Sequence, residues 1–202
     1  MQKHFVSNKD ESVRMFDSDF LDYFSRVHWS APLFIFVPVI IYFTLRGAYI
    51  YDLSALTIAG YFIAGLAFWT LAEYLLHRFV FHFHPKNPSL KALFWSIHGV
   101  HHDYPQDSKR LVMVPSLSIP LAALFYLIFL ATFGAHAAAP FFAGFIAGYL
   151  AYDMTHYAIH HHHIRNKYLL GVKSHHMAHH YRNPRRGYGV SSDIWDRVFG
   201  TL

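Results

Sequence analysis

The sequence predicts an all-α integral membrane protein with about four transmembrane helices and a helical cap on the cytoplasmic side. Three observations support this class. Four apolar stretches approach the length of about 20 residues that a helix needs to cross a bilayer. Hydrophobic residues make up 54% and aromatic residues 19% of the chain, which excludes a disordered protein. Lysine and arginine fall mostly on one side of the apolar stretches, as in membrane proteins.

The four predicted spans are apolar stretches, and they cover residues 31–50, 53–76, 111–134 and 137–155. Arg46, near the end of the first span, can extend its charged head to the membrane interface. Pro115 and Pro120 lie in the third span, where neighbouring helices can satisfy the backbone groups that proline leaves unpaired. The fourth helix is expected to continue past Asp153 into a histidine-rich segment.

The basic residues predict that both termini are cytoplasmic. Of the 17 lysines and arginines, only Arg46 lies outside residues 1–30, 77–110 and 156–202, and cytoplasmic loops accumulate such residues. We therefore expect a cytoplasmic N-terminal segment followed by a membrane-embedded domain over residues 31–202. The formal net charge of +5 is then an orientation signal with some attraction to membrane lipids, and no nucleic-acid partner is expected.

The N-terminal segment is polar and acidic, so it does not resemble a cleavable signal peptide. Phe16, Phe20 and Phe24 recur in it at helical spacing beside Asp17 and Asp22. This pattern favours a helix lying in the membrane interface, and a frayed tail is the alternative.

Histidine is the surplus residue type, with 18 copies, ten of which fall in four clusters. The strings HGVHH and HMAHH each place histidines at i, i+3 and i+4, on one face of a helix. HRFVFH and HYAIH add two pairs where the second and fourth predicted spans end. All four clusters fall on the predicted cytoplasmic side, and their members are His77, His82, His98, His101, His102, His156, His160, His176, His179 and His180.

Ten clustered imidazoles indicate two metal ions sharing one site. Neutral imidazole is the commonest metal ligand, and one zinc or iron ion takes about four to six ligands. The absence of cysteine excludes disulfides, thiolate zinc sites and cysteine nucleophiles. Glu73 and Asp153 lie one helical turn before His77 and His156, and carboxylates in such positions hold the second ring nitrogen of a ligand. Hydrogen bonding between helices is the alternative role for both.

The remaining histidines do not fit the repeated spacing. We interpret His4, His28 and His136 as packing or interfacial residues. The roles of five others near the clusters stay open, and they are His84, His161, His162, His163 and His175.

Five strings together resemble the fatty acid hydroxylase superfamily of membrane di-metal oxygenases. They are HRFVFHFHP, HGVHHDYPQDSKRLVMVP, DMTHYAIHHH, SHHMAHHY and GYGVSSDIWDRVFGT. Within it they look most like the fatty acid 2-hydroxylases, over about residues 69–202. The resemblance implies that the ten clustered histidines are the metal ligands. It also implies two iron ions, with zinc possible in purified protein, and O₂-dependent hydroxylation of a fatty acyl chain at C2. The product would be a 2-hydroxy fatty acid or a 2-hydroxyacyl lipid.

The chain departs from the eukaryotic members of that group, which usually carry a b-type cytochrome domain ahead of the first span. We expect an external electron donor, a separate protein. The short architecture favours a bacterial inner membrane, or the endoplasmic reticulum membrane if the source is eukaryotic. The candidate contacts for the substrate head group are aromatic or basic residues near the clusters, with interfacial anchoring as the alternative, and they are Tyr104, Arg110, Tyr181 and Tyr188.

Two other functions fit parts of the pattern. A sterol or carotenoid oxygenase, or a desaturase, would use a similar histidine set, although DYPQDSKRLVMVP favours acyl 2-hydroxylation. A metal transporter would also concentrate histidines at a membrane face, but it would be expected to place polar ligands near the bilayer centre. The string HExxH of intramembrane metalloproteases does not occur in the sequence.

Overall fold

The computed structural model describes residues 5–202, and within this range the chain is helical with no β-strand. The all-α prediction is confirmed, and the predicted role of His4 lies outside the described residues. Eight α-helices follow one another along residues 5–202: α1 Asp19–Phe24, α2 Ala31–Tyr49, α3 Ala55–Leu75, α4 Pro88–Phe94, α5 Val100–Asp103, α6 Pro115–His161, α7 Lys167–Tyr181 and α8 Ile194–Val198. Two π-helical turns, Leu76–Phe81 and Trp95–Gly99, extend α3 and precede α5.

Three of the described helices are long and apolar enough to cross a membrane, and they are α2, α3 with its π-helical turn, and α6. Helix α6 has 47 residues and is interrupted at Gly134, whose φ of 73° is a conformation that favours glycine. Its two arms fold back on each other, because Phe125 and Phe129 of the first arm contact Phe145 of the second. The third and fourth predicted spans therefore correspond to the two helical arms that meet at Gly134.

Helices α3 and α6 approach so closely that their backbones touch. A Cβ atom on Gly65 would meet the carbonyl oxygen of Phe141, and one on Gly144 would meet the carbonyl oxygen of Phe62. Trp69 packs beside this contact, with its ring centroid 5.1 Å from that of Phe145. This packing fixes the end of α3, which carries His77, next to the end of α6, which carries the HYAIH pair.

The N-terminal segment lies along the loop that follows HGVHH. The N–H groups of Val6 and Ser7 donate to the carbonyl of Asp103 at 2.8 and 3.1 Å, and the Ser12 hydroxyl donates to Asp107 at 2.6 Å. The predicted interfacial helix corresponds to α1, which has only six residues. Its contact with a membrane stays a prediction.

Candidate metal centre

The ten predicted ligands gather into two groups of five where the ends of α3, α6 and α7 meet α5 and the π-helical turn before it. In each group, one nitrogen from every histidine lies within 4.8 Å of the others. The first histidine group consists of His77, His82, His98, His102 and His179. The second histidine group consists of His101, His156, His160, His176 and His180.

The two groups are adjacent. The rings of His102 and His180, one from each group, stack with centroids 4.3 Å apart. His77 of the first group is 6.4 Å from His176 of the second, measured between ring centroids. The arrangement is therefore one centre with two potential metal positions.

Each HxxHH string contributes to both groups, which explains why the chain carries it twice. In HGVHH, His98 and His102 join the first group and His101 joins the second. In HMAHH the assignment is reversed, with His179 alone in the first group. Side chains at i and i+4 lie on one helix face and i+3 lies slightly to its side, so each short helix supplies two ligands to one group and one to the other.

The π-helical turn explains the HX4H spacing. Residues five apart point in different directions from a regular α-helix, but His82 donates its backbone N–H to the carbonyl of His77 at 3.2 Å. This wider turn brings both side chains into the first group, with Nε2 atoms 3.3 Å apart. A second π-helical turn contains His98, and such turns are frequent at functional sites.

In the first group the five Nε2 atoms form a closed ring. Successive distances are 3.1 Å from His77 to His98, 3.1 Å to His102, 3.3 Å to His179, 3.0 Å to His82 and 3.3 Å back to His77. Donors about 2.1 Å from one ion and at right angles around it would be about 3 Å apart. The spacing of this group therefore fits a single bound ion.

Two histidines of the first group bind backbone carbonyls through their second ring nitrogen. His77 Nδ1 donates to the carbonyl of Tyr188 at 2.5 Å, and His179 Nδ1 donates to that of Arg186 at 2.6 Å. A neutral imidazole that donates from Nδ1 carries a lone pair on Nε2. These lone pairs point at one another, and a cation between them would remove the repulsion.

The ring nitrogens of the second group also lie close together. His176 Nε2 lies 2.9 Å from that of His156, and 3.0 Å from those of both His160 and His180. His101 Nε2 is buried and has no hydrogen-bond partner among residues 5–202. Its ring lies 4.6 Å from the rings of His156 and His180, measured between centroids. A metal ion would give this orphaned nitrogen its partner.

The protein keeps these imidazoles neutral, as metal ligands must be. Burial lowers the pKa of His82 and of His101 to about 3. Burial also lowers the pKa of His179 to about 4. At neutral pH these side chains therefore present lone pairs to an ion.

The predicted partner of Glu73 differs in the structure. Its carboxylate does not hold His77 but accepts hydrogen bonds from the N–H groups of Val190 and Ser191, at 2.6 and 2.7 Å, and from the Ser191 hydroxyl at 2.5 Å. The same loop presents the Tyr188 carbonyl to His77. Glu73 thus supports His77 indirectly, because it holds the loop whose Tyr188 carbonyl binds the His77 ring.

A second carboxylate, absent from the sequence prediction, holds the same loop. Asp196 is fully buried and accepts hydrogen bonds from the N–H groups of Tyr188 and Gly189 at 2.9 and 2.7 Å. Burial alone would raise its pKa, but hydrogen bonds from His175, Thr201 and this backbone keep the pKa below the usual value. Asp196 of the string WDRVFGT therefore fixes the loop. The sequence signal for this contact was that Asp196 lies only a few residues after the loop residues GYG, 187–189.

Asp153, the other predicted support, is buried one turn before His156. Its Oδ2 atom has no hydrogen-bond partner in the described part of the chain. A role beside His156 stays a prediction.

The histidines with open roles lie outside both groups. His175 Nε2 is 3.1 Å from Asp196 Oδ2, and His161 stacks on Tyr157 with ring centroids 4.5 Å apart. His84, His162 and His163 are exposed. His28 and His136, interpreted as packing residues, lie against Ser30 and Tyr51 respectively.

A cavity of about 980 Å³ opens beside the first histidine group. Of the four predicted head-group contacts, only Tyr188 lines it. Arg110 is buried and points to Asp22, 3.2 Å away, while the Tyr181 hydroxyl donates to Asn8 at 2.7 Å. Tyr104 is half-buried in the turn after α5. Substrate contacts of these last three residues stay predictions.

The fold and the paired histidine groups define the class as a helical membrane protein with a histidine-rich site suited to two metal ions. The family model described as "Fatty acid hydroxylase" matches residues 62–201. The chain therefore belongs to the fatty acid hydroxylase family, as the resemblance of the histidine strings predicted.

Named relatives agree with this assignment. The dihydroceramide fatty acyl 2-hydroxylase FAH2 of Arabidopsis thaliana is 39% identical over 95% of this chain and 81% of that protein. The fatty acid 2-hydroxylase of Rattus norvegicus is 35% identical over 94% of this chain and 56% of that protein. The ceramide very long chain fatty acid hydroxylase scs7 of Schizosaccharomyces pombe is 36% identical over 91% of this chain. The chain spans just over half the length of the last two, 56% and 53%.

A solved structure has the same fold. Full-length scs7p, of which only the hydroxylase domain is visible, matches with a TM-score of 0.87 and 36% sequence identity. The match covers 91% of this chain and 70% of that chain.

Proposed function

We propose that this protein hydroxylates a fatty acyl chain at C2, giving a 2-hydroxy fatty acid or a 2-hydroxyacyl lipid. The observation that carries the proposal is the pair of adjacent five-histidine groups at the ends of membrane-length helices. Relatives named for 2-hydroxylation of fatty acids or of dihydroceramide fatty acyl chains, at 35% and 39% identity, support the position of attack.

We propose iron as the metal of both positions, held by the two histidine groups. All-imidazole sites suit iron, zinc and copper, but zinc has no redox chemistry. Two bound irons, together with O₂ and electrons, would supply the oxidising power that attack on an unactivated C–H bond requires. Zinc in purified material would reflect capture by an imidazole-rich site.

The chain's own residues hold the substrate beside this centre. His82, His98 and His102 line the cavity, so a bound acyl chain reaches the first histidine group directly. Phe81 and Trp95 line the same space, and their rings exclude water from the apolar chain. Fixing one methylene beside the metal ligands is what selects C2, because orientation decides which C–H bond reacts.

We propose that the metal centre and both termini face the cytoplasm, in a bacterial inner membrane or, in a eukaryote, the endoplasmic reticulum membrane. The distribution of lysine and arginine supports this orientation. We also propose that the electrons come from a separate electron-transfer protein.

Mass spectrometry of total acyl lipids from cells expressing the chain tests the function. We expect one added oxygen at C2, which His176→Ala abolishes and His162→Ala retains, because His162 is exposed and lies outside both groups. Oxygen at another carbon, or on a sterol or carotenoid, would replace this proposal with another oxygenase. No new product with iron and a reductase supplied would overturn enzymatic function and favour metal storage or transport.

A further inference from the structure

Positive charge is concentrated in the cavity beside the first histidine group. Three arginines carry this charge, and only one carboxylate, that of Asp103, is among the lining residues. The arginines are Arg78, Arg182 and Arg185. The carboxylate of Asp103 already accepts a hydrogen bond from Trp95 Nε1 at 2.8 Å.

The charge of these arginines is not compensated by the protein. Within residues 5–202, none of the three forms an ion pair with a carboxylate. By contrast, the buried Arg110 lies near two carboxylates, those of Asp22 and Asp107. A concave surface with one sign of charge concentrates ligands of the opposite sign.

Arg78 is also held in place. Its Nη1 donates to the Tyr74 hydroxyl at 2.7 Å, and its guanidinium lies 5.0 Å from the Phe79 ring and 5.9 Å from the Tyr188 ring. The Tyr188 carbonyl binds His77, so Arg78 stands next to the loop that supports the metal centre. Arg182 and Arg185 are exposed and face the same cavity from the segment after α7.

We propose that the acyl substrate of this enzyme carries an anionic head group, a carboxylate or a phosphate, and that Arg78, Arg182 and Arg185 bind it. This inference rests on the proposed acyl hydroxylation. Guanidinium groups pair with carboxylate and phosphate through two parallel hydrogen bonds. An uncharged head group such as that of dihydroceramide, the lipid in the name of the plant relative, would leave three cations in the cavity without a counter-charge.

Equilibrium binding to the zinc-loaded full chain tests the inference, because zinc has no redox chemistry and no turnover disturbs the measurement. The probes carry the same radiolabelled acyl chain as a free fatty acid, as phosphatidylglycerol or as dihydroceramide. The variants are Arg78→Gln and the double variant Arg182→Gln/Arg185→Gln. Arg165→Gln, an exposed arginine that does not line the cavity, is the matched control. Bound zinc is counted in each variant to show that both histidine groups are intact.

We expect at least one anionic lipid to bind about tenfold or more tightly than dihydroceramide, with this preference lost in the cavity variants and kept in the control. Tighter binding of the fatty acid alone assigns the carboxylate, and tighter binding of phosphatidylglycerol alone assigns the phosphate. Equal binding of the neutral lipid, or equal binding by variants with full zinc content, would overturn the inference. Hydroxylation is assayed separately with iron, so an anionic preference without a 2-hydroxy product would refute the proposed function and leave the binding site.

Discussion

Removal of the Glu73 carboxylate should loosen the metal centre without touching a ligand. In Glu73→Ala, the N–H groups of Val190 and Ser191 lose their acceptor, and Val190 is fully buried. An unsatisfied buried group costs about 1–3 kcal/mol, so the loss at Val190 should lower the free energy of unfolding by about 1–3 kcal/mol. The half-buried Ser191 N–H can bind water and should add little. Because the same loop presents the Tyr188 carbonyl to His77, metal affinity should fall by about 10- to 100-fold.

The assay combines thermal unfolding in detergent with bound metal per chain. Glu73→Gln keeps one oxygen acceptor for both N–H groups, so we expect it to lose no more than about 1.5 kcal/mol. Glu11→Ala, at the chain's only other glutamate, is exposed and is the control. If Glu73→Ala keeps wild-type unfolding temperature and metal content, the support of His77 through the loop is wrong.

Three further changes test the fold and the site. His82→Ala and His156→Ala, one in each histidine group, should each reduce bound metal from two ions to one, measured by elemental mass spectrometry; an unchanged count would refute the two groups. Gly65→Ala places a Cβ against a backbone carbonyl of α6 and should destabilise the protein by about 3 kcal/mol or more. The control Gly60→Ala, whose added Cβ has no neighbour within 4 Å, should not destabilise it. Equal unfolding temperatures of the two variants would contradict the close packing of α3 and α6. Asp22→Ala removes one of the two carboxylates beside Arg110 and the acceptor of the Met15 N–H, so it should lower the unfolding temperature; an unchanged unfolding temperature would contradict the role of Asp22 in holding the N-terminal segment.

The grouping of the ten histidines was predictable because helical spacing is visible in a sequence. Histidines at i, i+3 and i+4 must share a helix face, and both HxxHH strings do so in the structure. Their division between two groups was not predictable, because it depends on how α5 and α7 meet. The five-residue spacing of His77 and His82 also requires a π-helical turn, for which the sequence carries no simple signal.

The hydrogen-bond partners of these histidines were harder to predict than their grouping. Glu73 lies one turn before His77, yet the carbonyl that binds His77 belongs to Tyr188, 111 residues away. Backbone carbonyls have no sequence signature, so such partners emerge only from the fold. Similarly, the apolar pattern predicted separate third and fourth spans, and the single residue Gly134 makes the turn between them.

The proposed reaction places oxygen at C2 of an acyl chain beside the paired histidine groups. To test it, the purified iron-loaded protein is supplied with ¹⁸O₂, an electron donor and an acyl lipid, and the label is located by tandem mass spectrometry. We expect one ¹⁸O atom at C2 with wild-type protein and none with His176→Ala. Label at any other carbon, or at C2 in equal amount with His176→Ala, would contradict it.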